Sequence, residues 1–533
     1  MLKKTVGFVL GIVALANGVA VAEPGAPRRG GVLIAMARED LTQGFALNET
    51  STVSGIWPVM PCYSNLVLFD PKKPVEGLDT VIGELAERWS WQDGYRNLVF
   101  FLRKGVVWHD GQPFTSRDVK YTYDLIRGAK EAIARLRIAP RKDWFANVES
   151  IETPDSHTVV FHLKRPQPAL LLMLASGDTT VYPAHIPPAE LRTRCVGTGP
   201  FKLKEWRRGE FFEYVRNPDY FIKGRPFLDG IKFIVIADRA TRYAALRAGR
   251  LDIAFPGETT KAIADDLKAT APSLVTTPVA TSVYYNVLLN HTKPPFDNVT
   301  LRQAVNRAID RRAYVRAVLH DGGVVGVSMA PPPYGVWGLY GKDLERFPGY
   351  GDPAKEKALA RKLLAEAGYG PANPLRVEMV TRAIAVYMDF ASFVVDELRK
   401  VGIDTSLRQI ESAQWDGALA RKEFLMGANL TGVGADDPDV NFYENYTCTS
   451  PRNHTGYCNQ DIMSLIDRQS QELDPRKRRA LVADIQRKLE EDAARPVMGW
   501  GLDFFAQWPY VKGLVPHNNI YNYGRLQEVW LDR

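Results

Sequence analysis

The chain has 533 residues, 45% of them hydrophobic and 24% charged, with a formal net charge of +7. That length is too great for one hydrophobic core and predicts about two to four domains, and the composition excludes a disordered or multispan membrane chain. The basic residues are scattered, with only short clusters such as 476–479, which argues against a nucleic-acid surface and for charge that serves solubility.

In chain order, Lys3 and Lys4, an apolar run over 6–19 and the small-x-small Ala20-Val21-Ala22 before Glu23 predict a secretory signal peptide cleaved after Ala22. No cysteine lies at that site to take a lipid, and no later apolar run reaches the roughly 18 residues of a membrane span. An exported, soluble mature chain is expected. Residues 98–104 (LVFFLRK), 157–163 (HTVVFHL) and 231–237 (IKFIVIA) read as strands bounded by turn residues. The stretch 239–255 reads helix, Gly249, strand. From about residue 299 the texture becomes α/β. Leu301, Ala304, Val305, Ala308 and Ile309 form a helical apolar stripe, and Asp352 caps a helix that begins with Pro353 and stops at Gly368. A strand (375–381), a helix (385–401, closed by Gly402) and a strand (403–410) then predict crossover units on a sheet. Aromatic and Gly/Pro segments fill 505–533.

Four cysteines in an exported chain predict pairing. Cys448 and Cys458 flank a loop rich in Asn, Thr, Ser, Pro and Gly, where a bond is worth at most roughly 3 kcal/mol; Cys62 and Cys195 pair by elimination. CxxC spacing is absent, which argues against a zinc ribbon or a thioredoxin site. GxSxG, HExxH, a Walker loop and a strand-borne GxGxxG are absent as well. The eight histidines are dispersed, with no two at i, i+2 or i, i+4, so no catalytic residue, metal or cofactor is assigned. His109 beside Asp110, in VVWHDGQPF, has two readings. It is half of a general-base pair, or it holds an Asp-Gly turn that leads into a helix capped by Thr115 or Ser116; the second needs fewer partners.

The stretch LAERWSWQDGYRNLVFFLRKGVVWHDGQPFTSRDVKYTYD (85–124) resembles the signature of bacterial family 5 extracytoplasmic solute-binding proteins, the oligopeptide-, dipeptide- and nickel-binding group that serves ABC importers. The family pattern is an LAxxW opening, a β-hairpin, LRxGVxFHDGxPhxAxDV and a helix. Here Trp108 stands where Phe is usual and Ser116 where Ala is frequent, and neither disturbs the turn. Further similar stretches follow in the same order: VGTGPFKLKEW (196–206), NPDYFIKGRPFLDGIKF (217–233), AALRAGRLDI (244–253), PPFDNVTLRQAVNRAIDR (294–311), GADDPDVNFY (434–443) and GYCNQDIMSLID (456–467).

The resemblance implies an α/β, two-lobed periplasmic-binding-protein fold (type II, cluster C-like) with an extra β-rich domain beside the first lobe. Carried onto this chain, lobe I is discontinuous (23–61, 196–280 and 506–533), the extra domain is 62–195 and lobe II is 281–505. It also implies a monomeric periplasmic protein that closes two lobes on a peptide or similar small solute and delivers it unaltered to a membrane ABC permease. No cofactor and no nucleic acid take part. A non-peptide ligand (opine, sugar, nickel complex or haem) stays open, since this scaffold hosts many solutes; a secreted hydrolase built on His109 is the disfavoured rival. For the site, the resemblance points first to Asp436. In peptide-binding relatives an acidic residue in an Ala-Asp-x-x-x-Pro-like segment captures the ligand's α-amino group. GADDPD keeps Ala435-Asp436 but is two residues shorter before the proline, which leaves an Asx-type turn of Asp436, Asp437 and Asp439 as the alternative. Trp415 falls at a cleft tryptophan, Tyr63 where the first strand enters the cleft, and Tyr443 and Tyr387 are expected in its wall. The sequence does not name the solute.

Overall fold

The structure, a computed structural model, describes residues 25–533, so the expected signal peptide and its cleavage site lie outside the described residues. The first of three larger sheets has the spatial order Val32–Ala37, Gly230–Val235, Phe211–Arg216, Phe201–Arg207, with the first pair parallel and the others antiparallel. Strand alternation turns Leu33, Ile231, Phe233, Phe212 and Tyr214 to one buried face. There Phe233 stacks on Phe212 at 4.9 Å and takes the edge of Trp57 at 5.3 Å. Val511, Ile520, Tyr523 and Leu531, from the aromatic C-terminal stretch, complete the same core.

The second sheet is antiparallel, in the order Ala86–Gln92, Asn97–Leu102, Thr158–Leu163, Val148–Asp155. The helix Ser116–Arg127 packs on it, opened by a capping box between Thr115 and Asp118 and closed by Gly128 at φ 67°. Thr115, not Ser116, is therefore the cap. Packing around this sheet crosses the expected boundary at residue 195. Phe100, Phe161 and Trp144 share one buried cluster with Val440, Phe442, Ile462 and Ile485, and Trp144 Nε1 donates to the Val440 carbonyl at 2.9 Å. The helices Pro438–Asn445, Gln460–Gln471 and Pro475–Glu491 join this core, the first of them packed against the Lys142–Phe145 turn that carries Trp144.

The third sheet has six strands, ordered Gly323–Val324, Val497–Gln507, Val275–Leu289, Met426–Gly432, Leu375–Arg382, Ile403–Ile410. The last three are mutually parallel, and the helix Ala385–Arg399 is the crossover between Leu375–Arg382 and Ile403–Ile410, as the sequence alternation predicts. The helix read from 301–309 is Val299–Ala308, and Asp352 caps Pro353–Glu366 through the amides of Ala354 and Lys355. The strand expected to end 239–255 does not form. The helix Arg239–Arg247 and the positive-φ Gly249 are present, but Ile253 makes only single bridges, one to Ala35 and one to Gln507. Those bridges join the first sheet to the third. Among the described residues no helix is long and apolar enough to cross a membrane.

Both disulfides, Cys62–Cys195 and Cys448–Cys458, are formed, with Cα–Cα separations of 6.4 and 4.8 Å. The first joins positions 133 residues apart, a closure worth about 4–5 kcal/mol by chain entropy. Gly197 and Gly199 lie so close to this junction that a Cβ on either would run into the Cys62 carbonyl, which accounts for the GTGP motif. Arg525, fully buried, ties the C-terminal segment to the second-sheet domain. It donates to both carboxylate oxygens of buried Glu84 at 3.1 Å and to Asn65 Oδ1 at 2.6 Å. Arg525→Ala leaves the Glu84 carboxylate buried and uncompensated, and should lower unfolding free energy by about 3–5 kcal/mol. A denaturant titration giving less than about 1 kcal/mol would show that this pair does not hold the segment in place.

Candidate functional site

The HDG turn is structural. Trp108 N donates to the Gln112 carbonyl at 2.8 Å, and Asp110 Oδ1 accepts from Gln112 N at 3.2 Å. His109 Nε2 donates to the Gly199 carbonyl at 3.0 Å while Nδ1 accepts from Gly197 N at 3.3 Å, so the ring is a neutral tautomer with both nitrogens committed to backbone. Burial lowers its pKa to about 4, which agrees with that tautomer. Asp110 faces away and accepts from His185 Nε2 at 2.8 Å. The pair binds the second-sheet domain to the segment after Cys195 and has no ring nitrogen free for a substrate.

A cleft lies between the first and third sheets. About 930 Å³ of atom-free space, part of it open to solvent, lies between its walls. Thr281, Val283 and Tyr285, on the long strand Val275–Leu289, form its floor. The ladder is irregular there. Register shifts between Ala280 and Tyr284, and Ser282 adopts φ 52°. Arg38, the 51–53 segment and 257–261 form one wall; Arg382, Tyr387, the Trp415–Asp416 pair and Arg452 form the other.

Two residues clamp the walls. Glu39 follows the edge strand of the first sheet and Arg382 ends a parallel strand of the third, both at carboxyl ends, where α/β sheets place their ligands. Arg382 Nη2 donates to both Glu39 oxygens, at 2.9 and 2.7 Å, and its Nε donates to Ser412 Oγ at 3.1 Å. Burial alone would raise the Glu39 pKa, but the Arg382 and Arg38 guanidiniums hold it below the usual carboxylate value. Tyr387 and Trp415 meet edge to face at 6.0 Å on helices 385–399 and 412–420. His454, from the loop closed by Cys448–Cys458, is kept neutral by burial and by the Arg452 and Arg495 cations.

Of the five residues expected in the site, the structure brings Trp415 and Tyr387 to the cleft and leaves Asp436, Tyr63 and Tyr443 out of its lining. Asp436 Oδ2 accepts from Val336 N at 2.8 Å, and its own amide donates to Glu76 at 2.6 Å. Its neighbours serve the fold as well. Asp437 caps the helix Pro438–Asn445 and takes two bonds from Arg478, at 2.8 and 2.6 Å. Fully buried Asp439 accepts from Ser470 and Gln469. The shortened segment is a helix start, in which Asp437 alone bonds its local backbone, accepting from Asp439 N at 2.9 Å. Tyr63, also fully buried, donates to the Phe45 carbonyl at 3.0 Å; Tyr443 donates to Asp467 at 2.7 Å and accepts from Arg165 at 3.0 Å.

Sequence reasoning missed Arg382, Asp416, Arg452, His454 and Tyr521, which also line the cleft. Arg382 had a usable signal, since it directly follows the strand read at 375–381, at the carboxyl end where α/β sheets place their ligands. The others are placed by contacts distant in sequence. Among the described residues no group of three or more His, Cys, Asp or Glu converges as metal ligands.

Residues 80–453 match the family described as bacterial extracellular solute-binding proteins, family 5, and the chain belongs to it. It is 27% identical over 466 residues to a protein of Pseudomonas aeruginosa named as a probable di/tripeptide-binding protein, covering 81% of this chain and 82% of that one. It is 29% identical over 410 residues to heme-binding protein A of Haemophilus influenzae, covering 71% and 70%. The fold is that of the periplasmic binding protein DppA from Helicobacter pylori in complex with the peptide STSA (TM-score 0.83, 22% identity, 95% of this chain and 99% of that one). It is equally that of AgaA from A. tumefaciens in complex with agropinic acid (TM-score 0.79, 23% identity, 94% and 99%). The chain is accordingly a two-lobed α/β solute-binding protein.

Two outcomes follow from the site geometry. His109→Ala should lower the thermal midpoint, by a loss of about 1–3 kcal/mol for the two ring hydrogen bonds, and leave solute affinity unchanged; an altered affinity at unchanged stability would place the ring in the site. Glu76 accepts from Asn522 at 2.7 Å beside the Asp436 carboxylate, and burial with that neighbour raises its pKa to about 8. A carboxyl raised in the folded state contributes stability at low pH that is lost as pH rises from 4.5 to about 8. Glu76→Gln should therefore melt above wild type at pH 8, with the gain vanishing near pH 4.5; melts at stepped pH would refute this by showing a pH-independent difference.

Proposed function

We propose that this chain captures a short peptide or peptide-like solute in the cleft between its lobes and hands it, chemically unaltered, to an ABC import permease. The supporting observation is an enclosed cleft at the carboxyl ends of strands from two sheets, closed across by Glu39 and Arg382 and floored by strands that belong to both sides. Peptide-named relatives and the family itself support the solute class. In this reading lobe I is 23–61, 196–280 and 506–533, the extra domain 62–195 and lobe II 281–505, with the helices of 438–491 leaning on the extra domain. The irregular ladder near Ser282 is the hinge. The protein is monomeric and periplasmic, its leader removed after Ala22. It has no catalytic role, in keeping with His109 spending both nitrogens on backbone.

A relative named for haem, and a structure with agropinic acid, define the competing ligands. Purified protein melted with di- to tetrapeptides, opines, oligosaccharides and haem separates them. A bound peptide at a hundredfold excess over its Kd should stabilise by about 2.7 kcal/mol. Stabilisation by an opine or haem with none by peptides would replace the peptide reading, and a converted product would end the transport reading altogether.

A further inference from the structure

Five charged side chains stand in the cleft wall: Arg38, Lys261, Arg382, Arg452 and Asp416. Each of the four cations has an ion-pair partner within the protein. Arg38 meets Glu258 at 3.4 Å, Arg382 meets Glu39 at 2.7 Å, Arg452 meets Glu444 at 2.8 Å and Lys261 meets Asp265 at 2.5 Å. Asp416 is the exception: among the described residues it has neither an ion-pair partner nor a hydrogen-bond donor. Neutral His454 nearby does not supply the missing charge.

The Asp416 carboxylate is deeply placed, and burial raises its pKa against the opposing pull of Arg382 and Arg452. It nonetheless keeps some accessible surface, which in so enclosed a group faces the cavity. With Arg452 and His454 it also lines a smaller cavity of about 310 Å³ of atom-free space on the 138–140 side, so it stands where the two spaces meet. Trp415 and Tyr387 form the adjoining wall, and aromatic faces attract cations. A buried carboxylate that no donor touches is costly even with cations in its surroundings, and is met by a partner wherever one is available. In the closed cleft that partner has to come with the solute.

We propose that Asp416 anchors a cationic nitrogen of the solute, ammonium or guanidinium, so that the cleft selects molecules carrying such a group. The inference rests on the reading of this cleft as the solute site. The anchor projects from the helix Ser412–Ala420 and not from the 434–439 segment, whose carboxylates are engaged in the fold. In a peptide the group is the α-amine or a basic side chain.

The test uses the mature protein, wild type and Asp416→Asn, with probes in matched pairs. These are free-amine di- and tripeptides with their N-acetylated forms, arginine with citrulline, and putrescine with 1,4-butanediol. Calorimetry should find at least one cationic member bound by wild type about 30-fold or more tightly than its neutral twin. Asp416→Asn should lose that discrimination. Its ligand-free form should melt no lower than wild type, because the amide removes an uncompensated charge. The proposal is overturned if neutral twins bind equally well, if the variant still discriminates, if no cationic member binds, or if the ligand-free variant melts several degrees lower, which would mark the carboxylate as structural. Arginine or putrescine binding through Asp416 in the absence of any peptide binding would remove the peptide reading alone, so the two claims fail separately.

Discussion

The strands Val275–Leu289 and Val497–Gln507 pair antiparallel along most of their length, and the rest of the molecule is arranged around that ladder. At one end, from Val275↔Gln507 to Ala280↔Leu502, the ladder reaches the first sheet through Ile253. At the other it continues beside Met426–Gly432 into the parallel strands of the third sheet. Two sheets held by one continuous pair of strands stay joined at a line while their outer parts remain separate, and the space above the line is the cleft. The irregularity at 280–284 falls at that line. A ladder bends most readily where a residue is left unpaired, which is the physical basis of the hinge proposed there.

Charge inside the protein follows a second constraint, that a buried ion must find its counter-ion. Arg525 with Glu84, Arg141 with Glu444, and Arg478 with Asp437 and Asp439 are pairs between segments far apart in sequence. Such pairs add little net stability over apolar packing, but each orients one segment on another, because misplacing either partner strands a charge. Glu39 with Arg382 extends the same rule across the cleft, where the cost of separation falls on opening. Glu76 and Asp436 violate it mildly, two carboxyls side by side with pKa values near 8 and 7. Asp416 violates it in the one place where a visiting molecule could supply the remedy.

His109 and Asp436 illustrate how the same side-chain chemistry is turned to scaffold use. An imidazole next to a carboxylate is the material of general-base catalysis, and an Ala-Asp segment before a proline is the material of amine recognition. Backbone amides and carbonyls take up the His109 ring completely and the Asp436 carboxylate in part. His109 is fastened to Gly197 and Gly199, and Asp436 to Val336 and Glu76. Both ring nitrogens of His109 are thereby committed, whereas the Asp436 carboxylate takes up one backbone amide through a single oxygen and lies outside the cleft lining.

The sequence alone determined what depends on near neighbours. The strand, helix and strand of 375–410, the cap at Asp352, the stop at Gly249, the two inner strands of the second sheet and the Cys448–Cys458 pairing were legible, since periodicity, capping and turn chemistry act over a few residues, while Cys62–Cys195 followed only by elimination. The ordered run of similar stretches extended this to the fold class. Tertiary structure alone decided which side chains face the cleft. Asp416, Asp436, Asp437 and Asp439 are chemically identical and close in sequence, yet Arg478, Ser470 and Val336 claim the last three while nothing claims the first. Burial and charge compensation are sums over neighbours that the chain brings together only when folded, and no window of sequence contains that sum.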